Sequence, residues 1–173
     1  MPISLHAATV PSYLQTLRAT IRWLSKAEAF AQDTGKPEAD MMAAKLQDDM
    51  FPFNRQVRAC AMHSQGAIEA CFKGVFSPDL SPHPESFAGL RERLGEAVAY
   101  LEALDESEME ALVGAPMRFE FKTTVMPFTA DNFLLSFSQP NYYFHTTTAY
   151  AILRYQGMSI GKRDYLGSLR LNV

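Results

Sequence analysis

Apolar residues recur at helical spacing in three long stretches of the first 104 residues. These stretches cover about residues 3–34, 52–73 and 85–104, and in each the apolar side chains follow steps of three and four. Gly35 and Gly74 stand directly after the first two stretches. Glycine is common at that place because it tolerates the left-handed conformation that ends a helix. The pattern therefore predicts three long amphipathic helices.

The pattern changes after residue 112. Residues 117–122 alternate apolar and polar side chains, and residues 125–128 continue with β-forming types, which predicts a small β-hairpin or an extended excursion. Thr129 or Asp131 is the expected cap of the next helix. That helix, which continues to Gly157, is apolar on nearly every side, as is typical of a helix buried among others. Pro140 removes one backbone donor, and we expect a kink or a split there.

Four long helices with separate apolar stripes favour an all-α fold, a four-helix bundle with the hairpin between its third and fourth helices. We expect residues 1–173 to form a single domain. Residues 38–48 are predicted to be a short helical linker. Residues 158–173 are predicted to lie on the bundle as a tail, held through Ile160, Tyr165 and Leu166.

Composition and net charge limit which binding partners are expected. The chain has 173 residues, of which 47% are hydrophobic, and a formal net charge of −3, so no nucleic-acid or membrane-surface partner is expected. There is no signal-peptide pattern and no apolar run long enough to cross a bilayer. Cys60 and Cys71 would lie roughly 16 Å apart on one helix, too far to bridge. A reducing, cytoplasmic location is the expectation.

Two histidines carry the candidate chemistry. His145 shares a helix face with Asn141 and Ala149, which should point at the core, and His63 shares a face with small alanines that let a neighbouring helix approach. Histidines on facing helices can hold a divalent metal such as Zn²⁺ or Ni²⁺, with Asn141 in place for a third ligand. The alternative is a core histidine that is bonded to Asn141, a tyrosine or a backbone carbonyl.

Other residues near the histidines have either a functional role or an ordinary role in the core. Cys60 lies three residues before His63 and is either a thiol activated by the imidazole or, as is more common, a small buried apolar residue. Tyr142 and its neighbouring tyrosines either line a ligand pocket or belong to the core. We place Tyr142 and Ala149 with His63, Asn141 and His145 in the candidate ligand pocket.

With His63 on the second long helix and Asn141 four residues before His145, the chain resembles the DinB-like superfamily. Within it, the chain is most similar to an uncharacterised family of bacterial proteins, a domain of unknown function. The similarity covers nearly the whole chain, and the segments that carry it are Ser4–Pro11, Asp49–Phe53, Pro140–Arg154 and Gly161–Gly167.

The resemblance implies an up-down-down-up four-helix bundle, often dimeric. It also implies a metal site of three histidines, one from the second helix and two spaced i, i+4 on the fourth. His63 and His145 match two of them, and Asn141 stands where the third would be. Relatives of this type include thiol-dependent transferases and isomerases that use the metal to activate a small thiol.

Three functions follow as hypotheses. The first is a metal-dependent enzyme, of thiol transferase or hydrolase type, with an incomplete metal site. The second is a non-catalytic module that binds a small molecule in a degenerate site. The third is a structural or dimerising module, and the resemblance to the DinB-like superfamily implies a homodimer.

Overall fold

The computed structural model describes residues 3–172, which are mostly helical and include a small sheet. Two of the helical stretches contain a wider π-type turn: Met62–Gly66, here called the first π segment, and Phe133–Ser138, the second π segment. The helices, in chain order, are α1 Leu5–Thr34, α2 Glu38–Ala43, α3 Phe53–Ala61, α4 Ala67–Lys73, α5 Phe87–Glu102, α6 Glu106–Glu110, α7 Ala130–Asn132, α8 Gln139–Tyr155 and α9 Lys162–Leu166.

The long helices begin and end with the chemistry that their sequences provide. The Ser4 side chain accepts a hydrogen bond from the Ala7 N–H at the start of α1, and Ser86 does the same at the start of α5. Gly35 ends α1 with a φ of 67°, in the left-handed region that glycine adopts without strain. The three predicted long helices are therefore confirmed to within a few residues.

The predicted linker helix is shorter than expected. It was predicted over 38–48, but α2 ends at Ala43 because Ala44 turns to a ψ of 140°. Residues 44–52 contain no regular helix. Their path brings Phe51 beside the start of α3, where the Phe53 N–H donates to the Ala44 carbonyl at 2.9 Å.

The sheet has three strands in the order β1, β2, β3. The predicted hairpin is present as β2 (Pro116–Phe121) and β3 (Thr124–Thr129), which pair antiparallel. A third strand, β1 (Val75–Phe76), was not predicted and pairs parallel to β2, with Phe76 opposite Phe119. It follows directly on α4, so it joins the hairpin to the helices.

The two π segments have one local feature in common. In each, a serine hydroxyl donates to the carbonyl four residues earlier: Ser64 to Cys60 at 2.7 Å and Ser136 to Asn132 at 2.5 Å. Such bonds compete with the backbone donor and bend helices. In addition, Pro140 has no N–H to donate to the Ser136 carbonyl. The disruption expected at Pro140 takes the form of a change from π to α geometry at Gln139.

The core lies where α1 and α3 each contact both α5 and α8. Its largest fully buried side chains are Trp23, Tyr13, Tyr142, Phe53, Phe87 and Phe133. Cys60 and Cys71 are both buried and free, so the prediction that they do not bridge is confirmed. Ile160 is buried and α9 contacts α1, so this part of the tail packs on the helices. Within residues 3–172, no helix has the length and apolar character that spanning a membrane requires.

Replacing Tyr142 by phenylalanine is expected to lower the free energy of unfolding by about 1 kcal/mol, the net value of a typical buried hydrogen bond. The Tyr142 hydroxyl lies 2.6 Å from the Thr16 hydroxyl and 3.3 Å from the Tyr13 carbonyl. The measurement is urea unfolding, with Tyr143→Phe on the same helix as the matched control. Equal stability of the two variants would contradict the importance of this buried bond.

Candidate functional site

His63 lies in the first π segment and faces the second. Its side chain is 4% exposed, and its Nδ1 lies 3.3 Å from the Ser138 hydroxyl oxygen. That hydroxyl donates its one proton to the backbone carbonyl of His63, at 3.0 Å. Because the proton is used there, the hydroxyl can only accept from the ring, so Nδ1 carries the hydrogen and Nε2 carries a lone pair.

His145 is held in the same tautomer by a different residue. Its Nδ1 lies 2.7 Å from Oε1 of Gln56, on α3. The Gln56 amide NH₂ donates to the Phe51 carbonyl at 3.2 Å, and a carbonyl can only accept. The amide oxygen must therefore face His145 and accept from Nδ1–H. The Nε2 atom of His145 is again the one with the lone pair.

The structure brings the two histidines together. Their ring centroids are 5.5 Å apart, and the ring planes lie within 15° of parallel. Both residues line the same cavity. Among the residues that the structure describes, neither Nε2 atom has a hydrogen-bond partner. Two basic nitrogens from different helices are thus fixed in orientation and available to a third group.

Burial keeps both rings neutral. It lowers the pKa of His63 to about 3, with a further contribution from His145. It lowers the pKa of His145 to about 4, with a further contribution from the Arg55 guanidinium. At neutral pH both imidazoles are therefore uncharged. An uncharged imidazole has a lone pair that can bind a metal or accept a hydrogen bond.

Asn141 lies at the same cavity, one helical turn before His145. Its side-chain NH₂ donates to the Phe137 carbonyl at 2.7 Å. Because that carbonyl can only accept, the amide oxygen is the atom left over. The site therefore offers two imidazole nitrogens and one neutral oxygen.

The cavity has a volume of about 260 Å³ and is mainly apolar. Aromatic rings form much of its wall, and the His63 ring centroid lies 5.6 Å from that of Phe76. On another side of the cavity, the Phe51 ring is parallel to the His145 ring, and the two ring centroids are 6.2 Å apart. Its lining residues include Phe51, Arg55, Arg58, Met62, Phe76, Pro78, Asp79, Leu80, Phe119, Phe121 and Phe137.

One wall of the cavity is a loop, residues 77–86, that is tied down by Arg58. The buried Arg58 guanidinium forms an ion pair with Asp79 and donates to the Ser81 hydroxyl at 2.7 Å. It also lies 2.9 Å from Nδ1 of His83. His83 is half-buried in this contact. Pro78, Asp79 and Leu80 are thereby held at the edge of the cavity.

Two predicted pocket residues lie elsewhere. Tyr142 is fully buried against α1, where its hydroxyl meets Thr16, and Ala149 is packed in the core. Neither lines the cavity, because Tyr142 lies one position after Asn141 and its side chain leaves on another face of α8. Cys60 is a buried residue whose thiol donates to the Gln56 carbonyl, and burial raises its pKa to about 12. It has the character of a small apolar residue rather than of an activated thiol.

Several residues of the site carried little signal in the sequence. Gln56 is four residues before Cys60 on α3, and Ser138 lies three residues before Asn141. Each reaches a histidine on another element, so no spacing along the chain connects them. Phe137 lies four residues before Asn141, which lies four residues before His145. This helical spacing alone could have placed Phe137 at the site.

The two imidazoles and the Asn141 oxygen are donors of the kind that a divalent metal binds. Two imidazoles on one tetrahedral zinc ion have ring centroids about 5 Å apart, since each Zn–N bond is about 2.0–2.1 Å. The observed separation of 5.5 Å is close to that value. A metal-binding histidine donates its other ring N–H to an acceptor that orients it, as His145 does to Gln56 and His63 does to Ser138. Within residues 3–172, however, no group of three His, Cys, Asp or Glu side chains is placed to hold a metal. The site would therefore offer an ion two imidazole nitrogens and the Asn141 amide oxygen, and water or a ligand would have to fill the remaining positions.

The model of a family described as "Domain of unknown function (DUF1993)" matches residues 5–166. The chain belongs to this family. It is also similar to a solved structure, that of a DinB family member protein from Shewanella denitrificans, with 26% sequence identity and a TM-score of 0.81. The similarity covers 98% of this chain and 95% of that one. The predicted membership of an uncharacterised DinB-like family is confirmed, and no curated protein matches the chain.

Proposed function

We propose that this chain holds a divalent metal, Zn²⁺ or Ni²⁺, between His63 and His145 and acts on a small molecule in the adjoining cavity. A metal-dependent enzyme of the thiol transferase or hydrolase type fits this arrangement. The observation that carries the proposal is the pair of histidines 5.5 Å apart, each bonded through Nδ1 to a residue of another element. Such outer contacts orient a metal ligand and raise its basicity.

A bound divalent ion would supply a lowered pKa for a water or thiol that reaches it. The residues of the chain have separate tasks. Gln56 and Ser138 fix the tautomers, so that each Nε2 keeps a lone pair for an ion bound beside both rings. Asn141 offers an oxygen, which is a weaker partner than imidazole for zinc or nickel. Phe76 and Phe137 restrict water around the histidines, which strengthens electrostatic interactions there.

The metal proposal is tested by elemental analysis and by titration of the chelator-treated protein with Zn²⁺, Ni²⁺ and Co²⁺. We expect one ion per chain in the wild type and a loss of affinity of roughly 100-fold in His145→Ala, because one of the two strong ligands is removed. His6→Ala is the matched control, since His6 lies at the start of α1. The proposal would be overturned by a metal content below one ion per chain that the His145→Ala substitution leaves unchanged.

A second candidate function is a non-catalytic small-molecule binder on a degenerate metal site. It is favoured by one observation, the neutral Asn141 amide at the position one turn before His145. In that case the two Nε2 atoms accept hydrogen bonds from a ligand. The same titration separates the candidates, because a binder of this kind has no stoichiometric metal.

We further propose that residues 1–173 form one domain in which α1, the α3–α4 stretch, α5 and α8 make an up-down-down-up four-helix bundle, and that the chain forms a homodimer. The contacts of α1 and α3 with both α5 and α8 support the bundle. The dimer comes from the DinB-like resemblance. Light scattering of the purified chain tests it, and a monomer at micromolar concentration would contradict it.

A further inference from the structure

Among residues 3–172, one charged side chain at the cavity, that of Arg55, has no ion-pair partner. Arg58 and Asp79 form an ion pair, so their charges offset each other. Arg55 forms no salt bridge with any described residue, and its guanidinium carbon lies over the Phe51 ring, 3.5 Å from the centroid. Arg55 is half-buried and lines the cavity. The cavity therefore carries one uncompensated positive charge.

The Arg55 guanidinium is positioned by an aromatic ring. Stacking on an aromatic face holds the guanidinium plane, and Phe51 in turn runs parallel to the His145 ring at 6.2 Å. The field of Arg55 reaches the site, since it contributes to the lowered pKa of His145. A guanidinium fixed in this way keeps its N–H groups for a planar, bidentate acceptor, which is the geometry of a carboxylate.

The rest of the cavity is suited to an apolar group. Phe76, Phe119 and Phe137 contact one another with ring centroids between 5.3 and 6.5 Å apart. Leu80, on the loop wall of the same cavity, is 72% exposed. A ligand body packed there would remove the Leu80 side chain from water, which is favourable at roughly 25 cal/mol per Å².

We propose that the cavity binds a small monocarboxylate with an aromatic or aliphatic body, its carboxylate on Arg55 and its body between the phenylalanines and Leu80. This deepens the proposed function, since it rests on the premise that the cavity holds a small molecule. It does not require the metal. With one unpaired cation and an apolar wall, the cavity favours a monoanion over a dianion such as phosphate, whose second charge would be buried without a partner.

The test uses 4-phenylbutyrate and its uncharged analogue 4-phenylbutanamide as probes, measured by calorimetry with the full chain. One arm contains EDTA and the other contains Zn²⁺. In both arms the acid is expected to bind at least about 10-fold more tightly than the amide, as befits a charge-assisted pair. Arg55→Met, which keeps the stem that covers Phe51, is expected to abolish this preference. Arg163→Met on the exposed side of α9 is the matched control and keeps it.

Each other outcome overturns the proposal. Equal binding of acid and amide by the wild type, or no binding of either, rejects a carboxylate site. A preference that survives Arg55→Met rejects Arg55 as the recognising group. A preference that appears only with Zn²⁺ means that the metal, not Arg55, holds the carboxylate. The metal proposal fails separately: if elemental analysis and titration find no stoichiometric metal while the preference for the acid persists, only the metal proposal is removed. Thermal unfolding of each variant confirms that it is folded.

Discussion

An Asn141→His variant is expected to bind Zn²⁺ roughly 100-fold more tightly than the wild-type chain, because an imidazole replaces a neutral amide oxygen as the third ligand. The position is one turn before His145 at the same cavity, so the new ring lies beside the existing pair. The measurement is competition with a chromophoric chelator. Co²⁺ spectra should also change to the intense bands of a tetrahedral site.

The matched control is Asn132→His, which adds a histidine at an exposed position of α7, away from the cavity. It should leave the affinity unchanged. If Asn132→His and Asn141→His gain equally, the added imidazole acts as a surface ligand and the site lacks the geometry inferred from the histidine pair.

Acid is expected to destabilise the protein strongly below pH 6.5. The folded state lowers the pKa of His63 to about 3 and that of His145 to about 4, from 6.5. The unfolded chain therefore binds protons that the folded chain does not, so the stability is full above pH 6.5 and is lost as the pH falls toward these values. Between pH 7 and pH 5 the loss is about 2 kcal/mol for each histidine.

Urea unfolding in EDTA at pH 7, 6 and 5 measures this effect without interference from metal. A His63→Gln/His145→Gln double variant removes both titrating groups and should flatten the pH profile, whatever its stability at pH 7. A wild-type profile as flat as that of the double variant would show that the rings are not buried in neutral form.

The helices could be predicted from the sequence because each long stretch repeats its apolar residues at one period, and the hairpin because Met117 to Phe121 alternates. The strand β1 could not, since two residues, Val75 and Phe76, carry no period. Its existence depends on a parallel pairing with β2 across the whole of α5 and α6. Nothing local to residues 75–76 specifies that partner.

The sequence draws attention to the two histidines and Asn141, which the structure brings to one cavity, but not to the residues that contact them. A regular 100° wheel puts His63 outside the apolar stripe of its helix, yet its side chain is buried. The π turn changes the angular step at that point, so the wheel cannot place the ring. Gln56, Ser138 and Arg55 were missed because their roles depend on contacts between separate elements. Tyr142 was assigned to the pocket on aromatic character alone, and its hydroxyl instead bonds to α1.

The contacts between Arg58 and the loop 77–86 bear on how the cavity can vary among related chains. The loop supplies the outer wall of the cavity, whereas the histidines and their supports come from helices. Changes of loop length or sequence that keep the Asp79 anchor therefore alter the outer wall of the cavity while the histidine pair stays in place. Under the proposed function, selectivity for a ligand and the residues that bind the ion would be inherited as separable traits.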